Sequence, residues 1–97
     1  MADFYFSRKA VEDLAAIWNY TVDRYEYYDM LVSSCRAIAE NPEGLGRSYS
    51  EVAAGLLGFK ASRHIIFYRV AEPGRTGIVR ILHERMDIRS RLGEESI

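Results

Sequence analysis

The stretch from Leu56 to Asp87 constrains the fold most, because it reads as consecutive β-strands rich in β-branched and aromatic residues. Its middle segment has apolar residues at both alternating sets of positions, which is typical of a central strand covered on both faces. We expect antiparallel strands at Leu56–Ala61, His64–Val70 and Gly77–His83, the last two joined by a hairpin turn at Glu72–Gly77. The sequence therefore predicts an α+β fold built on a three-stranded antiparallel sheet.

Basic side chains are dispersed through the same stretch. Outside the turn at Glu72–Gly77 they are Lys60, Arg63, Arg69, Arg80 and Arg85. Because a core-building sheet needs no such set, we expect one face of the sheet to meet an anionic molecule or an acidic partner. The alternative is that the charges only protect sheet edges from pairing with other chains.

The formal net charge of −1 conceals an asymmetry between the two halves of the chain. Residues 1–51 hold nine acidic and five basic residues, a balance of −4, whereas residues 52–97 hold five acidic and eight basic residues, a balance of +3. Eleven of the thirteen basic residues are arginine, whose planar guanidinium makes bidentate contacts with carboxylates and phosphates. The C-terminal half is therefore suited to an anionic partner.

The N-terminal half predicts one strand and two helical segments. Asp3–Ser7 alternates as a short strand, and Ser7 is a good N-cap for the helix that follows. Apolar residues then recur at helical spacing through Trp18, and again from Tyr27 to Ala39, where Asn41-Pro42 ends the pattern. We expect both helices to pack on the sheet, with Cys35 as a small core residue rather than a reactive thiol.

The junction between the helices permits two structures. Residues 21–26 contain no Gly and no Pro, and the apolar spacing continues through them. Either a tight hairpin turns at Asp23–Glu26, or one helix runs from Arg8 to Glu40. A helix of about 33 residues would be about 50 Å long. It would overshoot a domain with a radius of gyration of about 13 Å and would favour a domain-swapped dimer.

The remaining features indicate one domain over residues 1–97, with Glu43–Val52 as a loop and residues 89–97 as a flexible polar tail. No apolar run is long enough to span a membrane, and the N-terminus lacks the pattern of a signal peptide. The single cysteine fits a reducing cytosol. We therefore expect a cytoplasmic protein.

Recognisable catalytic motifs are absent from the sequence. One Cys and two distant His give no metal-ligand spacing, and there is no phosphate loop or dinucleotide fingerprint, so we expect neither a metal nor a cofactor. We interpret His64 as a structural or surface histidine and His83, at a strand end, as a weak acid–base candidate. Lys60, Arg63, Arg80 and Arg85 form either a nucleic-acid surface or ion pairs with acids of the helices or of a partner.

The order strand, two helices, three strands, together with several local motifs, resembles the RelE/ParE superfamily of bacterial toxins from type II toxin–antitoxin modules, and its ParE branch in particular. The segments that carry the resemblance are Phe6–Leu14, Ile17–Thr21, Asn41–Arg47, Arg63–Val70 and Ile81–Asp87. The last of these, with His83-Glu84-Arg85-Met86-Asp87, is fairly specific to ParE-like members. The resemblance spans nearly the whole chain.

The resemblance implies a growth-inhibiting toxin that is neutralised by a small, acidic, partly disordered antitoxin. ParE-like toxins bind DNA gyrase, whereas RelE-like relatives cleave mRNA on the ribosome with a basic cluster on the sheet and a late acid–base residue. We expect a binding toxin whose contact residues are Lys60, Arg63, Arg80, His83, Arg85, Met86 and Asp87. The alternatives are a nuclease that uses Arg85, His83 and Arg63, and an inactive partner-binding variant.

One departure from the family pattern lies at the helix junction, where several residues usual in the family are missing. Asp23–Tyr28 bridges the two helical segments directly. The shortening favours the long helix, and with it a homodimer or higher assembly.

Overall fold

A computed structural model of the chain describes residues 2–93. Within these residues the chain forms five strands, one of them very short, and four helices. In chain order they are β1 (Asp3–Phe6), α1 (Arg8–Tyr20), α2 (Arg24–Glu40), α3 (Pro42–Leu45), β2 (Arg47–Ser48), β3 (Leu57–Ala61), β4 (His64–Glu72), β5 (Arg75–His83) and α4 (Ile88–Gly93).

The sheet has five strands in the order β1-β5-β4-β3-β2, so β4 is central as predicted. The expectation of a three-stranded antiparallel sheet is corrected in two respects. β1 pairs parallel with β5, from Asp3 opposite Arg75 to Phe6 opposite Ile78, and β2 adds a two-residue antiparallel edge to β3. The local sequence pattern could not reveal the parallel pairing of β1, because its partner strand lies about 70 residues further along the chain.

The helices form a hairpin, and the alternative of one continuous helix is wrong. Thr21 has an extended backbone (φ −102°, ψ 129°), and its hydroxyl donates to the Ile17 carbonyl at 2.5 Å, which satisfies an acceptor at the end of α1. Trp18 then packs edge-on against Tyr25, with ring centroids 4.9 Å apart. The radius of gyration is 12.5 Å, so the hairpin keeps the chain compact without a swapped partner.

Each face of the sheet has its own apolar core. The face toward α1 and α2 is packed by Ala10, Leu14, Leu31, Cys35, Ile38, Ala61, Ile66, Tyr68, Ile78 and Ile81. The opposite face is packed by Leu56, Ile65, Phe67, Leu82 and Leu92, with the loop before β3 and α4 lying over it. Cys35 is 1% exposed in the first of these cores, which confirms it as a core residue, and this burial raises the pKa of its thiol to about 12.

Beyond the end of β1, side chains of α1 and of its N-cap form hydrogen bonds with the backbone at the edge of β5. Ser7 caps α1 through Ala10 N–H and donates its hydroxyl hydrogen to the Val79 carbonyl. One turn further on, Asp13 accepts from the Ile81 backbone N–H at 2.9 Å. The backbone of β5 is therefore paired first with β1 and then with the side chains of Ser7 and Asp13, so these edge groups keep their hydrogen bonds.

Two segments that we expected to be irregular are ordered. The interval Glu43–Val52 includes most of α3 and all of β2. The expected tail from residue 89 instead forms α4, in which Leu92 is buried; residues 94–97 lie outside the described part of the chain. Within residues 2–93, no helix has the length and apolar character needed to cross a membrane.

Candidate partner-binding groove

A groove of about 650 Å³ lies between the turn of the helical hairpin and the ends of β4 and β5. Its lining combines aliphatic, aromatic and ionisable side chains. They are Ala16, Ile17, Tyr20, Thr21, Val22, Asp23, Tyr27, Arg63, His64, His83 and Met86. A shallower depression of about 490 Å³ beside β2 and β3 is lined mainly by glycine and aliphatic residues, with Glu43 as an acidic member. Acid–base and cationic groups are therefore gathered in the hairpin groove.

Tyr27 and His64 are joined by a short hydrogen bond in this groove. The Tyr27 hydroxyl oxygen lies 2.5 Å from His64 Nδ1, and it also accepts from the Arg63 backbone N–H at 3.3 Å. With the amide donating to the oxygen, the hydroxyl hydrogen is free to donate to Nδ1. In that arrangement the neutral His64 ring carries its proton on Nε2.

His83 stands beside His64 on the neighbouring strand. The two residues are register partners across β4 and β5, and their rings meet edge to face with centroids 5.2 Å apart. His83 Nδ1 accepts from the Arg85 backbone N–H at 3.1 Å, so that nitrogen carries no proton and the neutral ring is again protonated on Nε2. Both imidazoles thus keep Nε2–H as their remaining donor.

The surroundings of His64 disfavour its protonated form. Burial lowers the pKa of His64 below its usual value near 6.5, and His83 and Arg63 lower it further, whereas Asp13 and Glu84 oppose the shift. At neutral pH, His64 is therefore an uncharged hydrogen-bonding group.

Three of the seven residues predicted as contacts line this groove, namely Arg63, His83 and Met86. Arg85 is exposed in the turn directly after β5. Lys60 lies on β3, where its ammonium forms an exposed ion pair with Glu84 at 2.8 Å; this contact raises the pKa of Lys60 and lowers the pKa of Glu84. These residues occupy one end of the sheet.

The other two predicted contacts have structural roles. The Arg80 guanidinium is 7% exposed and pairs with Asp13 at 2.8 Å, while its Nη1 donates to the Arg91 carbonyl of α4. The structure therefore places Arg80 inside the protein and away from the groove. Asp87 immediately precedes α4, and its carboxylate accepts from the Ser90 hydroxyl at 2.9 Å and from the Ser90 backbone N–H. Those hydrogen bonds lower the pKa of Asp87.

Several groove residues were not predicted as contacts from the sequence. Tyr27 lies 37 positions before His64, and no local motif connects them. Tyr20 and Val22 are 89% and 94% exposed at the hairpin turn. Apolar side chains exposed together beside a groove are typical of interaction surfaces, but the exposure of these two depends on the hairpin, which the sequence left open.

Comparison with known proteins agrees with this architecture. The family model described as the ParE toxin of the type II toxin–antitoxin system parDE matches residues 4–88. The chain belongs to the ParE family. Toxin ParE1 from Caulobacter vibrioides is 34% identical over 99 residues, covering 96% of this chain and 100% of that protein. Toxin ParE1 from Mycobacterium tuberculosis is 34% identical over 91 residues, covering 88% of this chain and 92% of that protein.

Solved structures share the ParE-family fold seen here at low sequence identity. A chain of the chromosomal ParDE toxin–antitoxin system from P. aeruginosa superposes with a TM-score of 0.69 at 20% identity, covering 86% of this chain and 95% of that one. A chain of the RelBE2 toxin–antitoxin complex from Mycobacterium tuberculosis gives 0.69 at 18% identity, covering 86% and 98%. The predicted resemblance to ParE-like toxins of type II toxin–antitoxin modules is thus confirmed.

Proposed function

We propose that this ParE-family toxin inhibits growth by binding DNA gyrase, without chemistry of its own, and that a small acidic antitoxin neutralises it. Family membership supports a toxin with an antitoxin partner, since similar structures come from toxin–antitoxin complexes. The proposed contact surface lies at one end of the sheet and consists of the half-buried His83 and the exposed Lys60, Arg63, Arg85 and Met86.

The observation that carries the preference for binding over cleavage is the closed second face of the sheet. Nuclease relatives require a basic cluster on the sheet, as the family resemblance implies. Here Ile65, Phe67 and Leu82 fill that face, and Leu92 of α4 covers them. Arg80, which was one candidate member of such a cluster in the sequence, is buried and paired with Asp13. On this face a nucleic-acid strand would therefore meet apolar side chains beneath a helix rather than a cluster of cations.

A supercoiling assay with purified gyrase tests this proposal. We expect the toxin to inhibit supercoiling, to accumulate cleaved DNA, and to lose both effects when the antitoxin encoded beside it is added. Arg85→Ala should weaken inhibition, whereas Arg36→Ala, an exposed arginine on α2 outside the groove, serves as the matched control. Unimpaired supercoiling together with normal growth on induced expression would rule the proposal out.

A RelE-like ribosome-dependent endoribonuclease is the second candidate, favoured by one observation. Tyr27, His64 and His83 bring acid–base groups within hydrogen-bonding or ring-contact distance of one another, next to Arg63. This function predicts ribosome-dependent cleavage of mRNA that is abolished by His83→Ala or Arg85→Ala. Transcripts that stay intact during growth arrest would exclude it.

A further inference from the structure

We propose that the histidine end of the groove is a carboxylate-recognition site, which receives an Asp or Glu side chain from an acidic amphipathic segment of the antitoxin. This inference rests on the antitoxin partnership proposed above and adds the contact that it uses. The residues that would meet the carboxylate are Arg63, His64 and His83. The aliphatic part of the groove would hold a neighbouring apolar side chain of the same segment.

The hydrogen bonds already present in the groove leave donors for an incoming acceptor. Nδ1 of both imidazoles is occupied, in His64 by the Tyr27 hydroxyl and in His83 by the Arg85 backbone N–H. Each ring therefore retains Nε2–H, and within residues 2–93 neither Nε2 atom has a hydrogen-bond partner. The Arg63 side chain is exposed on the tight turn between β3 and β4. Two ring donors and one guanidinium at a single groove match the acceptors of a carboxylate.

The charges around the site favour an anion. Nearby acids on adjoining elements are already paired: Asp13 of α1 with Arg80, and Glu84 with Lys60. Asp23 also lines the groove, at the hairpin turn, and its negative charge partly offsets the positive charge of Arg63. Arg85 adds a further exposed cation beside His83. Because the groove contains cations and most nearby acids are already paired, its charge is complementary to that of an acidic segment.

The apolar part of the groove distinguishes a protein segment from a nucleic acid. Ile17, Val22 and Met86 line it together with Ala16 and Tyr20, and Met86 is 41% exposed. An amphipathic helix offers an apolar side chain and a carboxylate three or four residues apart on one face. The ribose and phosphate groups of a nucleic acid have no apolar side chain that could pack against this aliphatic surface.

Proton uptake gives the proposal a direct readout. A carboxylate next to His64 favours its protonated form, while burial keeps the pKa of His64 low in the free toxin. Binding should therefore take up protons near pH 6.5, and calorimetry in buffers of different ionisation enthalpy should detect the uptake. His64→Asn retains an acceptor for the Tyr27 hydroxyl but cannot take up the proton, so uptake should fall.

A double-mutant cycle with the full-length antitoxin encoded beside the toxin gene identifies the carboxylate. The toxin variants are Arg63→Gln and His83→Asn, of which His83→Asn keeps an acceptor for the Arg85 N–H. Each is combined with antitoxin variants in which one Asp is replaced by Asn or one Glu by Gln. We expect one antitoxin position where the single changes weaken binding about tenfold and the combined change is much less than additive. Arg36→Gln on α2 is the control and should show no coupling.

Normal antitoxin binding with additive effects at every acidic position would overturn the carboxylate site alone. Absence of wild-type binding would overturn the antitoxin partnership and the site with it. A single-stranded RNA 12-mer serves as the competing probe; RNA binding that Arg63→Gln and His83→Asn abolish, with antitoxin binding unchanged, would assign the groove to nucleic acid instead. Because Arg63 is exposed, Arg63→Gln keeps the test decisive if a histidine variant fails to fold.

Discussion

At the scale of single residues, the buried ion pair between Asp13 and Arg80 ties α1 and β5 to α4. Asp13 accepts from Arg80 Nε and Nη2 and from the Ile81 backbone N–H. Asp13→Ala should lower the free energy of unfolding by about 3–5 kcal/mol, because it removes the carboxylate that pairs with a buried guanidinium and accepts from the Ile81 backbone N–H. Urea denaturation measures the loss. Glu12→Ala breaks only an exposed pair with Arg8 and should cost less than about 1 kcal/mol; equal losses would contradict this assignment.

His64 makes stability depend on pH in a defined direction. Burial first, and then His83 and Arg63, lower its pKa in the folded chain, so the unfolded chain binds a proton at a higher pH than the folded one. The free energy of unfolding should be level above about pH 7 and should fall as the pH drops through about 6.5. In denaturant titrations, His64→Asn should flatten this part of the profile. An unchanged pH profile in the variant would refute the contribution of His64.

At the scale of elements, α4 is a structural cover rather than a free tail. Its Leu92 is 1% exposed and packs with Leu56, Ile65, Phe67 and Leu82 on the second face of the sheet. Leu92→Ala should lower the free energy of unfolding by about 2–5 kcal/mol, because a cavity opens in that core. Arg89→Ala, on the exposed side of the same helix, is the control. If the two variants unfold at the same urea concentration, α4 does not contribute to the core.

At the scale of the whole molecule, the hairpin removes the reason for a swapped dimer. The long helix would have required a partner to cover it, whereas α1 and α2 cover the sheet within one chain. The toxin alone should therefore sediment as one chain of 11.1 kDa and shift to a larger mass with its antitoxin. Analytical ultracentrifugation across a range of concentrations distinguishes this from a constitutive dimer, which would revive the swapped arrangement.

The sequence by itself determined the local structure. The apolar run of β4, the cap at Ser7, the helical spacing of α1 and α2 and the Pro73-Gly74 turn each depend on neighbouring residues, and each appears in the structure. Gly74 has φ +79° in that turn, a conformation that glycine adopts without strain. Family membership also came from the sequence, because its motifs lie in these same segments.

Only the tertiary structure decided which distant groups meet. The chain breaks at Thr21 and brings Trp18 against Tyr25, although the apolar spacing alone fits a continuous helix equally well. The parallel pairing of β1, the burial of Arg80 by Asp13 and the contact of Tyr27 with His64 join residues between 37 and 72 positions apart. Such contacts leave no periodicity in the sequence, because they depend on how the helices and strands pack.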